Sequence, residues 1–482
     1  HSHSHTHSPN PNPNPNPNPN PNPNPNPSPS PVQALELRAK QDVATLRGEG
    51  LPPQLHEALL ADAQQASAFD ALEQLDALLQ PEVAMPPHVG AAAATAFAAE
   101  RGRSPASEAE TLAFLKEARA NAGRPAVLDS TGAELDYRKL MVGALCMRDV
   151  LRPHLGEARS VAVLMPPGAG GALVNLALAL DGRTSVNLNY TMSNGDLAGM
   201  CETAGAEHVI TARRFLSGLD RPSPLGDAQT ILLEDIRKDI STGMKLRYLA
   251  LSFLPGVVLA NLLAPRRRGG VPESEEVATV IFSSGSTGVP KGVMLTHSNI
   301  LSNVQSVLEV IALGPGDGVL GILPFFHSFG YTVSLWATFL SGARGVYHVN
   351  PLEAKVVGEL SQKGGVTITI ATPTFYQSYL RRCTKEQFAG IRVALSGAQK
   401  LNQGLADAWK EKFGSELMEG YGCTEAAPVV SANLPGGGHL PPRQRGHRQG
   451  SIGRPLPGVA VKIVDPDAYP VEVIERGGGE SG

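Results

Sequence analysis

Ile281–Gly292 reads IFSSGSTGVPKG, and the apolar run Val277–Ser283 leads into it. Gly285, Gly288 and Gly292 let a backbone approach an anion closely. Ser283, Ser284, Ser286 and Thr287 supply hydroxyl donors, and Lys291 adds a fixed positive charge. Small residues, many donors and one cation are what a polyphosphate needs. A Walker-type loop requires GxxxxGK[ST]; here Pro290 precedes Lys291 and Gly292 follows it, so no helix N-terminus is expected at the lysine. The competing reading is a Gly/Ser surface turn, and the strand before the loop weighs against it.

Outward from this loop, Ser160–Met165, His208–Thr211, Gly321–Leu323, Val366–Ile370 and Arg392–Ser396 also read as strands, with Gly171–Leu180 as a helix. Short apolar runs separated by helix-length segments predict an α/β fold of parallel sheets covered by helices. That pattern occupies 107–482. Residues 1–31 are a His/Ser and Pro-Asn low-complexity tail, expected to be extended and disordered. Residues 32–106, rich in Ala, Leu, Gln and Glu, read as a helical lead-in with no identifiable chemistry.

The 482 residues are 42% hydrophobic, which is ample for a large core. A net charge of −4 gives no global basic field, so nucleic acid is not an expected partner. Cys146, Cys201, Cys383 and Cys423 lie far apart with no CxxC pair. Neither a disulfide framework nor a zinc site is expected, and a reducing cytoplasmic setting fits. The first residues lack an apolar signal region, and the chain starts at His1 without Met, so a partial gene model or a processed start is expected. Tyr248–Ala264 carries no charge and is followed by Arg266, Arg267 and Arg268. It is shorter than the roughly 20 residues a membrane span needs, and Pro255-Gly256 interrupts it. A span, an interfacial membrane contact through 248–268 and a packed helical hairpin all stay open.

SSGSTGVPKG resembles the signature of the adenylate-forming (AMP-binding) superfamily, and further segments match it in order. The resemblance implies the large N-terminal domain of that fold: layered parallel sheets covered by helices, plus a small β subdomain. It also implies roles. Tyr421–Glu425 (YGCTE) resembles the YGxTE motif, which puts Tyr421 on adenine, Thr424 on a phosphate oxygen and Glu425 on Mg2+. An aromatic face suits a purine and a carboxylate suits a hard cation. Ser396–Leu401 (SGAQKL) is similar to the loop along the adenine, so Gly397, Ala398 and Gln399 join Glu419, Gly420, Tyr421 and Gly422 in the expected base site. Cys423 fills the variable position and reads as a packing residue. Gly450–Gly458 (GSIGRPLPG) matches a segment expected to be architectural.

Leu323–Gly330 (LPFFHSFG) resembles the stretch beside the substrate carboxylate, giving an acyl pocket of Phe326, His327, Phe329 and Gly330. A satisfied core histidine is the alternative for His327. Gly321–Leu335 holds no Asp or Glu to pair a substrate ammonium, which favours an uncharged acyl tail. Phe325, Tyr331 and Trp336 line a tunnel or belong to the core. The run from His327 through LSGARGVYHVNPLEAK to EGYGCTEAAPVVSANLP looks like the acyl-ACP synthetase half of bifunctional phospholipid-acylating enzymes.

The expected chemistry is ATP-dependent adenylation of a long-chain fatty acid, then transfer to the thiol of CoA or acyl carrier protein. Lys291, Thr287, Glu425 and His327 are the expected catalytic residues. The family's TGD motif and its small C-terminal domain with a late lysine do not follow Val459–Pro466, so poor adenylation by this chain alone is expected. A non-catalytic nucleotide- or acyl-binding protein, and adenylation of another carboxylic acid, are the alternatives.

Overall fold

The computed structural model describes residues 110–263, 273–283, 290–434 and 448–461. The expectations for 1–31 and 32–106 lie outside the described residues, as do Ser284, Gly285, Ser286, Thr287 and Gly288.

Fifteen described strands build two sheets. In chain order they are β1 (Pro125–Asp129), β2 (Glu134–Asp136), β3 (Ser160–Leu164), β4 (Thr184–Asn187), β5 (Ala206–Thr211), β6 (Thr230–Leu232), β7 (Val277–Ser283), β8 (Lys291–Thr296), β9 (Gly318–Gly321), β10 (Arg344–Tyr347), β11 (Ile368–Ala371), β12 (Val393–Ser396), β13 (Leu417–Gly422), β14 (Val429–Ala432) and β15 (Arg454–Pro455). The described α-helices of eight residues or more are α1 (Glu110–Ala120), α2 (Tyr137–Leu155), α3 (Ala169–Leu180), α4 (Asn194–Thr203), α5 (Thr242–Leu251), α6 (Gly256–Leu263), α7 (His297–Ile311), α8 (Ala354–Gly364), α9 (Pro373–Arg382) and α10 (Gln403–Phe413).

The smaller sheet runs β6-β5-β3-β4-β7-β8, parallel except for its last pair. The larger runs β15-β14-β13-β12-β11-β9-β10-β1-β2. It is parallel from β1 to β13, with β2 antiparallel at one edge and β14–β15 antiparallel at the other. Parallel strands need helical crossovers, and these bury both faces. On one face of the smaller sheet Val161, Val163 and Ile210 pack with Leu151 and Val174 of α2 and α3. On the other, Ala162, Leu164 and Val209 meet Leu197 and Met200 of α4. In the larger sheet Leu320 and Val346 meet Tyr376, Trp409 and Phe413.

Local signals explain the ends. Asp136 caps α2 by accepting from Lys139 N at 2.7 Å. Thr296 and Asn299 form a capping box that starts α7 directly after β8. The expected strand at Gly321–Leu323 is displaced: β9 ends at Gly321, because Pro324 lacks an N–H and turns the chain out of the sheet.

The apolar stretch from Tyr248 is a packed hairpin, with α5 and α6 broken at Pro255. Among the described residues no helix is long and apolar enough to cross a membrane.

Candidate active site

The described candidate residues gather at carboxyl ends of parallel strands, where open α/β sheets bind ligands. Ser283 ends β7, and Lys291 is its register partner at the start of β8. The lysine therefore opens a strand, and 284–289, which join β7 to β8, lie outside the described residues. Lys291 is exposed. Its strand lies against the short 3-10 turn Thr424–Ala426 that follows β13.

Two further contacts join the segments. Ser328 Oγ donates to Thr424 Oγ1 at 3.4 Å, linking the LPFFHSFG stretch to the YGCTE turn. Asn303 of α7 reaches the same turn, donating to Val429 O at 2.8 Å and Ala426 O at 3.4 Å. Sequence reading missed both residues, because a lone Ser or Asn carries no signal until the strands are placed.

On the base side, Gly397 and Ala398 follow β12, and β12 pairs with β13 through Ser396 and Glu419. Ala398 has φ +65, a left-handed conformation costly for a residue with a Cβ. Gln399 is exposed, Glu419 is buried, and Gly420 and Gly422 lie on β13 around Tyr421. Tyr421 is 48% exposed, so an aromatic face is open to solvent. Cys423 is exposed, which corrects its reading as a packing residue: it sits on the open turn between Tyr421 and Thr424.

On the acyl side, Gly330 has no room for a side chain; a Cβ would fall 2.2 Å from Pro324 O. From Gly330 to Ala337 the chain forms a π-helix, a rare form that recurs at functional sites. Phe326 is buried, meeting His327 at 4.6 Å and Tyr190 at 4.9 Å between ring centroids. Arg221 bonds the carbonyls of Tyr190 and Met192 and so fixes that loop. Phe329 is half-buried. His327 is exposed, yet protein atoms crowd around its ring, and this desolvation lowers its pKa from the ordinary histidine value. Tyr331 and Trp336 are fully buried and belong to the core. The Tyr331 hydroxyl lies 3.2 Å from Ser185 Oγ, and burial, aided by the Glu110 charge, pushes its pKa up to about 12.

Glu425 is exposed and forms no ion pair among the described residues. No described cluster of three His, Cys, Asp or Glu side chains offers a protein-only metal site. One uncommitted carboxylate beside a hydroxyl fits Mg2+ held partly by substrate phosphates.

Arg454 and Pro455 pair with Ala432 and Ser431, so this segment is architectural, as expected.

A family model described as AMP-binding enzyme matches residues 114–480. The long-chain-fatty-acid–CoA ligase of Salmonella typhimurium is 26% identical over 379 residues, covering 74% of this chain and 66% of the relative. The 4-coumarate–CoA ligase of Pinus taeda is 26% identical over 364 residues, covering 71% and 62%. The chain thus spans about two thirds of the length of these curated relatives. Among solved structures, the anthranilate CoA ligase AuaEII in complex with anthranoyl-AMP superposes with a TM-score of 0.57 at 21% identity, covering 75% of this chain and 66% of that one. The N-terminal domain of FACL13 from Mycobacterium tuberculosis gives 0.55 at 19% identity, covering 68% and 79%.

Proposed function

Because the chain belongs to the AMP-binding enzyme family, we propose that it is the nucleotide- and acyl-binding part of an AMP-forming fatty-acid ligase. The observation that carries this reading is the meeting of three segments. Ser328 bonds Thr424, and the Lys291 strand lies against the Thr424–Ala426 turn. These contacts support assigning Lys291, Thr424, Glu425 and His327 to one site.

In the proposed reaction the fatty carboxylate attacks the α-phosphorus of ATP, and pyrophosphate leaves. A thiol, on CoA or an acyl carrier protein, then displaces AMP from the acyl adenylate. Lys291 and the hydroxyls of Ser283–Thr287 hold the phosphates, with Gly285 and Gly288 giving the backbone room. Tyr421 stacks on adenine while Gly397–Gln399 and Glu419–Gly422 border it. Glu425 holds Mg2+, which neutralises phosphate charge when bound. His327, whose pKa desolvation lowers, orients the carboxylate. Positioning and charge neutralisation supply the rate. The long acyl chain is proposed because Gly321–Leu335 holds no acidic residue for a substrate ammonium and the relatives named above include a fatty-acid ligase. Cytoplasmic placement at a membrane face suits such a substrate.

Equilibrium binding of Mg·ATP and of a fatty-acid series, followed by ATP–pyrophosphate exchange on fatty, aromatic and amino acids, tests the proposal. Saturable Mg·ATP binding with selectivity for fatty acids is expected. Selectivity for amino acids, or no nucleotide binding, contradicts it.

A further inference from the structure

The α5–α6 hairpin is anchored from behind. Tyr248, Leu251, Leu259 and Leu263 are buried. Arg148 of α2 donates to Tyr248 Oη at 3.0 Å and to Leu263 O at 3.5 Å, so one guanidinium ties both legs. Arg119 of α1 holds the turn through Leu254 O at 3.1 Å and Phe253 O at 3.2 Å. The outward side of this fixed element is nevertheless apolar. Leu246 is 55% exposed, Leu249 38%, Phe253 38% and Val258 45%. Leu246 and Leu249 are spaced i, i+3 and so share one face of α5, and Phe253 stands in the turn that follows the helix. Among the exposed large hydrophobics of the described residues, no other element carries more than one.

The charge carried by the α5–α6 segment has one sign, and the Asp149 carboxylate of α2 bonds it from behind, at Tyr248. Lys245 and Arg247 are exposed on α5. Arg138 stands 4.5 Å over the Phe253 ring. Between Asp239 and Glu273 the sequence holds no acidic residue. With 10 and 8 residues, the two helices are too short to cross a bilayer.

We propose that this face docks on the surface of an anionic phospholipid bilayer. Leu246, Leu249, Phe253 and Val258 enter the headgroup–acyl boundary, and Lys245, Arg247 and Arg138 meet lipid phosphates. Charge complementarity selects this occupant over a second copy of the chain, because a symmetric pairing would set Lys245 and Arg247 against themselves. The face is independent of the nucleotide site and stands whether or not the ligase reading does.

Flotation of the full chain tests it, using vesicles of phosphatidylcholine alone or with about one third phosphatidylglycerol. The chain is expected to float with the anionic vesicles only, and less so at high salt. Leu246→Ser/Leu249→Ser/Phe253→Ser should abolish flotation. Lys245→Glu/Arg247→Glu should weaken binding on the order of tenfold or more, and Lys245→Glu alone, which leaves the Arg247 guanidinium over the Tyr248 ring, should weaken it in the same direction. Mg·ATP affinity, measured alongside, should not change in the second variant. No flotation of the unaltered chain, equal flotation of both variants, or a dimer that the triple substitution converts to monomer would overturn the proposal.

Discussion

Asn303 and Val429 are paired through both amide groups: Asn303 Nδ2 donates to Val429 O at 2.8 Å, and Val429 N donates to Asn303 Oδ1 at 3.2 Å. Asn303 belongs to the helix that follows the Lys291 strand, and Val429 starts the strand that follows Glu425. One buried side chain thus fixes the two halves of the candidate site against each other. Asn303→Ala leaves a buried backbone N–H and C=O without partners. We expect a loss of about 2–3 kcal/mol in urea unfolding, and weaker Mg·ATP binding. Unchanged nucleotide affinity in a folded variant would mean that the two halves are held by other contacts.

His327 gives a pH signature. Desolvation lowers its folded pKa, while the unfolded value stays near about 6.5. Between the two values the unfolded chain binds more protons, so stability falls as pH drops below the unfolded value and levels off below the folded one. His327→Gln lacks this term. Urea midpoints from pH 8 to about 5 should therefore fall more steeply for the parent than for the variant. Parallel curves would contradict the desolvated histidine.

Asp317 acts at the opposite ends of the strands. Burial acts to raise its pKa, but bonds from Arg392 and Thr367 outweigh it, and the net shift is downward. Arg392 grips it at 2.9 Å through both oxygens, and Thr367 Oγ1 donates at 2.6 Å. A depressed carboxylate contributes stability above its unfolded pKa, and this is lost as pH falls through the folded one. Asp317→Asn should cost about 2 kcal/mol at pH 7, with the gap closing below about pH 4. A pH-independent gap would place the effect elsewhere.

Tyr347 occupies the hollow above Gly321, its strand partner. A Cβ at 321 would lie 2.2 Å from Tyr347 Cδ1. Gly321→Ala should destabilise by about 2–3 kcal/mol, and pairing it with Tyr347→Val should cost less than the sum of the single changes. Strict additivity in denaturant midpoints would refute the contact.

The fold class was legible because buried parallel strands leave short apolar runs, such as Ser160–Leu164 and Val277–Ser283. Strands such as Pro125–Asp129, Thr184–Asn187 and Arg344–Tyr347 were not, since Pro, Asn, Gly and Arg interrupt their apolar pattern and only pairing defines them. Site segments were legible where several chemically distinctive residues stand together, as at Tyr421–Glu425. Ser328, Asn303 and Tyr190 were not, because their meaning comes from residues more than ninety positions away or across another loop. Exposure was also unreadable: the exposed Cys423 depends on how the turn after β13 faces solvent.

Lys291 and Glu425 are proposed to act on one Mg·ATP. Calorimetric titration of ATP, with and without Mg2+, into the parent, Lys291→Ala and Glu425→Gln measures it. ATP binding at least roughly tenfold weaker is expected for the lysine variant, and loss of the Mg2+ enhancement for the glutamine variant. Unchanged affinity and unchanged Mg2+ dependence in both variants would contradict it.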